Sequence, residues 1–270
     1  MGFQGKIAAI TGAGSGIGRA LACRLASMGC SVAISDVNEE GLKETAALVA
    51  KHNVGCFQSS LDVRDREAVE QWAADVVKEL GGADYVFNNA GVALVDRVET
   101  IDYDDFRWLM DINFWGMVYG SKAFLPHFKS QGSGHIVNVS SLFGLISVPG
   151  QSAYNASKFA IRGFTEAMAQ ELKGSGVYAS SVHPGGIKTN IARNARFING
   201  GPDGGNHDDM QKNFEKMART TPDQAADVIL NGMAKKKKRI LIGGDARLLD
   251  RVQRLMPEKY SDFLSLLFKK

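Results

Sequence analysis

Five clusters and one lone acid in this chain have residue types and spacings that could do chemistry. The first is Thr11-Gly12-Ala13-Gly14-Ser15-Gly16-Ile17-Gly18, which follows an apolar run and opens a helical pattern. Glycines there allow a tight strand-to-helix turn and let bare backbone approach a pyrophosphate at the helix N-terminus. The spacing is G-x-x-x-G-x-G at 12, 16 and 18; a G-x-G-x-x-G would need glycine at 17, which is Ile17. No GxxxxGK[ST] occurs, which argues against a P-loop nucleotidase. Asp36 closes the second apolar run, where a carboxylate can bond adenosine ribose hydroxyls and repel a 2′-phosphate. Val37 follows it rather than an arginine, so the sequence predicts NAD over NADP. Arg19, inside the helix, is the nearest basic residue and leaves some room for dual use.

The other clusters are Asn88-Asn89-Ala90-Gly91, Asn138-Val139-Ser140-Ser141, the pair Tyr154 and Lys158, and His183-Pro184-Gly185-Gly186-Ile187-Lys188-Thr189. Tyr154 and Lys158 stand four apart, on one face of a predicted helix.

The elements that must position them are legible as alternation. Strand-like apolar runs at 7–10, 31–35, 56–59, 85–87, 136–139, 178–182 and 240–242 alternate with helical patterns at 17–28, 40–51, 66–80, 104–130, 153–173 and 222–236. Crossover helices between successive strands imply a parallel sheet covered on both faces. The expected fold is α/β, a single Rossmann-type doubly wound sheet of about seven strands. Residues 1–244 form the dinucleotide-binding and catalytic domain, and 245–270 a C-terminal helical tail. The clusters lie at or just beyond strand C-termini, where open α/β sheets bind ligands. Residues 190–221, with Gly200, Gly201, Gly204 and Gly205, read as a substrate lid.

Composition narrows the class. The chain has 270 residues, 44% hydrophobic and 23% charged, with net charge +3. That length buries roughly 70–75% of the unfolded surface without disulfide or metal staples. Hydrophobic content is too high for disorder, and the charge balance makes no case for nucleic acid. Cys23, Cys30 and Cys56 form no C-x-x-C pair and read as buried residues of a reduced cytoplasmic protein. Histidine spacing suggests no metal site. The Lys235–Arg239 run reads as a solvated helix end leading into a strand.

With TGxxxGxG, NNAG, YxxxK and PG…T in this order, the chain resembles the short-chain dehydrogenase/reductase family over about residues 5–244. The resemblance implies Asn113, Ser141, Tyr154 and Lys158 as catalytic groups. Ser141 is preferred to Ser140, because the family usually places its serine thirteen residues before the tyrosine. The chemistry is coherent: a tyrosine with pKa near 10 is a poor base at neutral pH, and a lysine ammonium beside it would favour the phenolate. Ser141 would hold the substrate oxygen near Tyr154, and Asn113 a water linking Lys158 to solvent. Implied cofactor contacts are Gly12, Ser15, Gly16, Ile17 and Gly18 at the turn, Asp36 at the ribose, and Asp62 and Val63 at the adenine. Asn89, Ala90 and Gly91, with Tyr154 and Lys158, continue the site. Pro184, Gly185, Ile187 and Thr189 complete it, the last two fixing the nicotinamide carboxamide. Asn88 is as readily a tie between strands.

Substrate candidates are Leu142, Phe143, Val148, Gln151 and Gly186, with Val92-Ala93-Leu94-Val95 and Ile191. Their apolar character suggests a lipophilic secondary alcohol or ketone, hydroxysteroid-like or otherwise; 3-oxoacyl or aldehyde reduction is the alternative within the family. Rivals of another kind are a non-catalytic NAD-binding regulator and an epimerase or dehydratase that retains the cofactor. The resemblance implies a homodimer or homotetramer through 104–130 and 153–173. The tail over 260–270 has an apolar stripe with a basic end; packing on its own domain or a partner subunit is the expected role, peripheral membrane contact the sharper alternative.

Overall fold

The computed structural model describes residues 2–198 and 206–262. Among these residues the strands are β1 Ile7–Thr11, β2 Ser31–Asp36, β3 Cys56–Ser60, β4 Tyr85–Asn88, β5 Leu94–Val95, β6 Gly134–Val139, β7 Val177–Pro184, β8 Arg196–Phe197 and β9 Arg239–Ile242. The helices are α1 Gly16–Ser27, α2 Glu39–Val49, α3 Arg66–Leu80, α4 Tyr103–Met110, α5 Gly116–Ser130, α6 Ser152–Glu171, α7 His207–Met217, α8 Pro222–Ala234 and α9 Gly244–Leu255. Seven strands form one parallel sheet in the order β3-β2-β1-β4-β6-β7-β9. The expected seven-stranded Rossmann-type fold is the one observed. Strand order reverses at β1, which pairs with β2 on one side and β4 on the other. The carboxyl ends of β1 and β4 therefore flank the crevice where such sheets take ligands.

Two apolar layers sandwich the sheet. Side chains alternate along β1, so Ile10 joins Leu21, Leu25, Ile229 and Leu230 beneath α1 and α8, while Ala9 faces Trp72, Val76 and Phe124 beneath α3 and α5. Burial on both faces accounts for the continuous apolar strands. The edge strand β3 differs, with three of its five residues exposed. Cys56 is one of them; Cys23 is half-buried and only Cys30 is buried, so the expectation of three buried thiols fails at the sheet edge.

A polar brace crosses the sheet centre. Asn88 Nδ2 donates to Asn138 Oδ1 at 2.8 Å and to Ser121 Oγ at 3.0 Å, and Asn138 Nδ2 donates to Thr165 Oγ1 at 2.9 Å. Asn88 thus ties β4 to β6, and through Thr165 the brace reaches α6.

The structure departs from the sequence reading in three further places. The helix expected over 104–130 is α4 and α5 joined by a π-helical turn, Asp111–Trp115. β5 and β8 form a separate two-stranded sheet. The segment read as a loop over 190–221 contains helix α7, which has no buried residue. The lid's glycines at 200, 201, 204 and 205, and the tail beyond Asp262, lie outside the described residues. Of the tail, α9 is described, and its Ala246 and Leu249 pack against Leu142, Leu145 and Ile146. Among the described residues no helix is long and apolar enough to cross a membrane.

Candidate active site

The glycine turn is built by exclusion. Gly12 adopts φ +65°, the left-handed region that glycine enters without strain. A Cβ on Gly18 would collide with the Gly12 carbonyl oxygen, so α1 can start this close to the turn only with glycine there. Asn89 clips the facing loop on: its Nδ2 donates to the carbonyls of Thr11 and Gly12 at 3.0 and 3.1 Å. Thr11 Oγ1 accepts from the backbone of Asn89 and Ala90, both at 3.1 Å. Gly16 faces Thr189, whose Cγ2 lies 3.2 Å from the point a Cβ would occupy, so the expected ends of the cofactor site converge.

The charge pattern at this turn fits a dinucleotide. Helices α2, α3, α4, α7 and α8 each begin with a side-chain cap and an acidic first turn. α1 has neither: Ser15 makes no capping bond and no acid occupies its first turn. Its free N–H groups and dipole suit an anion. Asp36 stands at the end of β2 with Oδ2 accepting from Gly14 N at 2.8 Å and Oδ1 from Asn38 N at 2.9 Å. Each oxygen retains a lone pair for a hydroxyl donor. Arg19 is committed elsewhere: it pairs with Glu44 at 2.7 Å and donates to Thr45 and to the carbonyls of Gly14 and Gly41. Asp62 is engaged by Arg64, whose hydrogen bonds hold its carboxyl below the usual value. Val63 is buried against Gly116.

The catalytic candidates gather beyond β6. Tyr154 and Lys158 are both buried, with Lys158 Nζ 5.5 Å from the Tyr154 ring centroid and donating to Val139 O at 3.1 Å. Burial pushes the Tyr154 phenol up to about 12, with a hydrogen bond from Ser141 working the other way. Burial pushes Lys158 down to about 8. A lowered phenol was the sequence expectation; the structure gives the opposite direction, because loss of water penalises the phenolate more than its neighbours favour it. The same loss of water penalises the Lys158 ammonium.

The structure separates the adjacent serines. Ser140 is buried and donates to Lys158 O at 2.7 Å, holding β6 to α6. Ser141 caps a short 3-10 turn, Leu142–Gly144, accepting from Phe143 N at 3.1 Å, and its hydroxyl engages Tyr154. Asn113 is aimed inward by the π-helical turn, a deformation recurrent at functional sites. Its Oδ1 accepts from Val92 N at 2.8 Å, and its Nδ2 donates to Val92 O at 3.0 Å and Ser157 Oγ at 3.2 Å. Above Gly91, the point a Cβ would occupy lies 3.1 Å from Asn113 Oδ1 and 3.3 Å from Lys158 Nζ.

Around Tyr154 lies an apolar wall of Leu94, Leu109 and Ala153, joined by Val92, Ala93, Phe106, Trp108, Phe143 and Ile191. Sequence reading found Val92, Ala93, Leu94, Phe143 and Ile191 but missed Phe106, Trp108 and Leu109, whose helical spacing marks a packed face without saying what it faces. Phe143 meets the Tyr154 ring edge-on at 6.2 Å. Leu142 belongs instead to the cluster beneath α9. Val148 lines a separate surface cavity of about 380 Å³ with Asn155, Ala156 and Phe159. Gln151 bridges Asp96, and Gly186 is packed against Met217 and Ala218 with its N–H donated to Asp245 at 2.7 Å. Asp245 also crowds Gly185, so α9 buttresses the segment after β7, whose Pro184 and Ile187 are buried. Arg196 in β8 clamps the wall from outside: its guanidinium stacks on Trp108 at 3.5 Å and pairs with Asp105 at 2.5 Å.

The short chain dehydrogenase family model matches residues 6–197. SadH, a Mycobacterium tuberculosis protein named as an oxidoreductase, is 47% identical over 261 residues, 96% of this chain and 93% of its own. A short-chain dehydrogenase/reductase from Burkholderia phymatum, solved in complex with NAD, superposes with TM-score 0.87 at 27% identity over 96% of both chains. A levodione reductase structure gives TM-score 0.81 at 28% identity, covering 91% of this chain and 99% of that one. Sheet order, crevice and relatives agree, and the chain belongs to the short-chain dehydrogenase/reductase family as a nicotinamide-dependent oxidoreductase of CH–OH groups.

Proposed function

We propose that the protein interconverts a lipophilic secondary alcohol and its ketone, with NAD(H) preferred over NADP(H). The observation that carries the substrate class is the apolar wall around Tyr154. The cofactor preference rests on Asp36, whose charge has no free arginine beside it because Arg19 is bound to Glu44 and three other partners. The residues present fit the dinucleotide: α1's uncapped N-terminus for the pyrophosphate, Asp36 for the ribose, Thr189 and its neighbours for the nicotinamide end. Bound there, the nicotinamide supplies the hydride acceptor in one direction and the hydride donor in the other.

The chain's own groups handle the proton. In oxidation Tyr154 Oη takes the hydroxyl proton of the substrate, and in reduction it returns it. Ser141 Oγ, bonded to Phe143 N, holds the substrate oxygen and offers the phenolate a hydrogen bond. Lys158, whose Nζ lies 5.5 Å from the centre of the Tyr154 ring, is the cation near enough to favour the phenolate. Asn113 Oδ1 and Lys158 Nζ both face the space beside Gly91, and a water held between them would carry the proton outward. The structural neighbour named levodione reductase is by that name a reductase, which supports the reductive direction of the same reaction.

For assembly we infer a homodimer or homotetramer through α5 and α6, where Phe114, Trp115, Tyr119 and Phe164 form a continuous aromatic strip and Trp115 is 44% exposed. The test of function is a panel of secondary alcohols and ketones, graded in apolar size, run in parallel with NAD and NADP and read by nicotinamide absorbance. Turnover should favour the apolar members and NAD. A folded protein inert to the whole panel, or one preferring sugars or NADP, overturns the proposal.

A further inference from the structure

His183 in β7 lies just past the last position paired with β6, where Val182 is the register partner of Val139, and is itself the partner of Leu241 in β9. It is wholly buried and is not among the groups that handle the proton. Its Nδ1 lies 2.9 Å from the carbonyl oxygen of Ser141. A carbonyl only accepts, so Nδ1 carries the hydrogen. The other nitrogen, Nε2, then has Ser181 Oγ at 3.1 Å, whose single hydroxyl hydrogen it shares with Lys238 O at 3.4 Å. Burial pushes the ring down to about 4, so it stays neutral and keeps this tautomer through the neutral range.

The consequence falls on Ser141. Its preceding peptide is fixed by Ser140, whose N–H donates to Val182 O at 2.8 Å and whose hydroxyl donates to Lys158 O at 2.7 Å. Its following peptide is fixed by His183. Its hydroxyl oxygen is fixed by Phe143 N. Only the hydroxyl hydrogen keeps freedom to turn between Tyr154 and a substrate oxygen.

We propose that His183 is a positioning residue for the reaction: its Nδ1–H locks the Ser141 peptide, so that the Ser141 hydroxyl meets the phenol of Tyr154 and the substrate oxygen at a fixed point. This rests on the reading of Ser141 given above. It adds a demand on the residue before Pro184 that the shared motif does not carry.

The experiment compares His183→Asn, His183→Gln and His183→Phe in the full chain, with Ser141→Ala as reference. An Asn amide can donate from near the Nδ1 position; a Gln amide reaches toward Ser181 instead; Phe keeps the ring shape and donates nothing. Small misplacement of a reacting group can cost about a hundredfold in rate. We expect kcat to fall about ten- to a hundredfold in Gln and Phe and to recover in Asn, with the NAD dissociation constant unchanged. In Gln and Phe the pH–rate profile for oxidation should shift upward in the direction of Ser141→Ala, because a misplaced hydroxyl no longer stabilises the phenolate. If Phe does not fold, Asn against Gln decides. Equal kcat in Asn and Gln, or a fall in kcat with an unmoved pH profile, overturns the proposal. Full activity in Ser141→Ala would instead overturn the underlying reading of Ser141.

Discussion

The two halves of the site are made of different material. On the cofactor side the walls are backbone: glycines meet carbonyls, Asn89 bonds main chain, and the anion-facing helix starts without a side-chain cap. On the substrate side the walls are side chains, Leu94, Phe106, Trp108 and Ile191, drawn from three separated segments and clamped by Arg196. Backbone walls leave no tolerance for an added atom, whereas side-chain walls can be cut back and reshaped. The difference suits a chain that must hold one invariant ligand beside one particular to it.

The contrast is open to being broken. A large effect is expected from the smallest change, Gly18→Ala, where one methyl must displace α1 from the Gly12 carbonyl. Overpacking of this kind costs about 1–3 kcal/mol, and NAD affinity measured by calorimetry should fall more than about tenfold, since ~1.4 kcal/mol is one decade. Near-normal NAD binding by this variant would show that the backbone wall has slack. Asp36→Ala comes next. Removing a like charge from the path of a 2′-phosphate should shift the NADP-to-NAD ratio of kcat/KM upward by roughly ten- to a hundredfold; an unmoved ratio would mean that the carboxylate does not read the ribose.

Trp108→Ala probes the other wall with a far larger deletion and a smaller consequence. Hydrophobic pocket contacts are worth about 1–3 kcal/mol, so KM for apolar substrates should rise roughly tenfold or more while NAD affinity stays put. A loss of NAD affinity would join the two halves that the comparison separates. A further prediction concerns stability. His135 and His183 are both buried, which pushes each down to about 4, below the ordinary 6.5. Between those values the unfolded chain binds protons that the folded chain refuses, so stability falls as pH drops from 6.5 toward 4. The slope approaches about 1.4 kcal/mol per pH unit for each ring. Urea midpoints at pH 7 and pH 5 check the sign, and the dependence should shrink in His135→Asn.

The same division decides what could be read from the sequence. The glycine turn was legible because glycine identity is itself the structural statement, and strand ends place Asn89, Ser141 and Tyr154 toward one crevice by simple alternation. The π-helical turn that aims Asn113 left no mark, since its residues have ordinary helical pattern. His183 reads as one more core residue, because its partner is a main-chain carbonyl and carries no side-chain signature. Trp108 and Arg196 are 88 positions apart and meet only through the pairing of β5 with β8, which is too short to show as a strand pattern. The direction of the Tyr154 shift was misjudged for a related reason: charge proximity can be counted from spacing, but desolvation depends on everything that closes around the ring.

The central claim is that Tyr154 moves the proton while the cofactor half works independently of it. It is tested most directly by single-turnover nicotinamide reduction in wild type and Tyr154→Phe, with NAD binding measured on the same samples. The account predicts unchanged NAD affinity and a hydride-transfer rate lowered about 10²- to 10⁴-fold, the range for a positioned acid–base group. An unchanged rate with NAD still bound would contradict it and return the chain to the reading of a non-catalytic NAD-binding regulator.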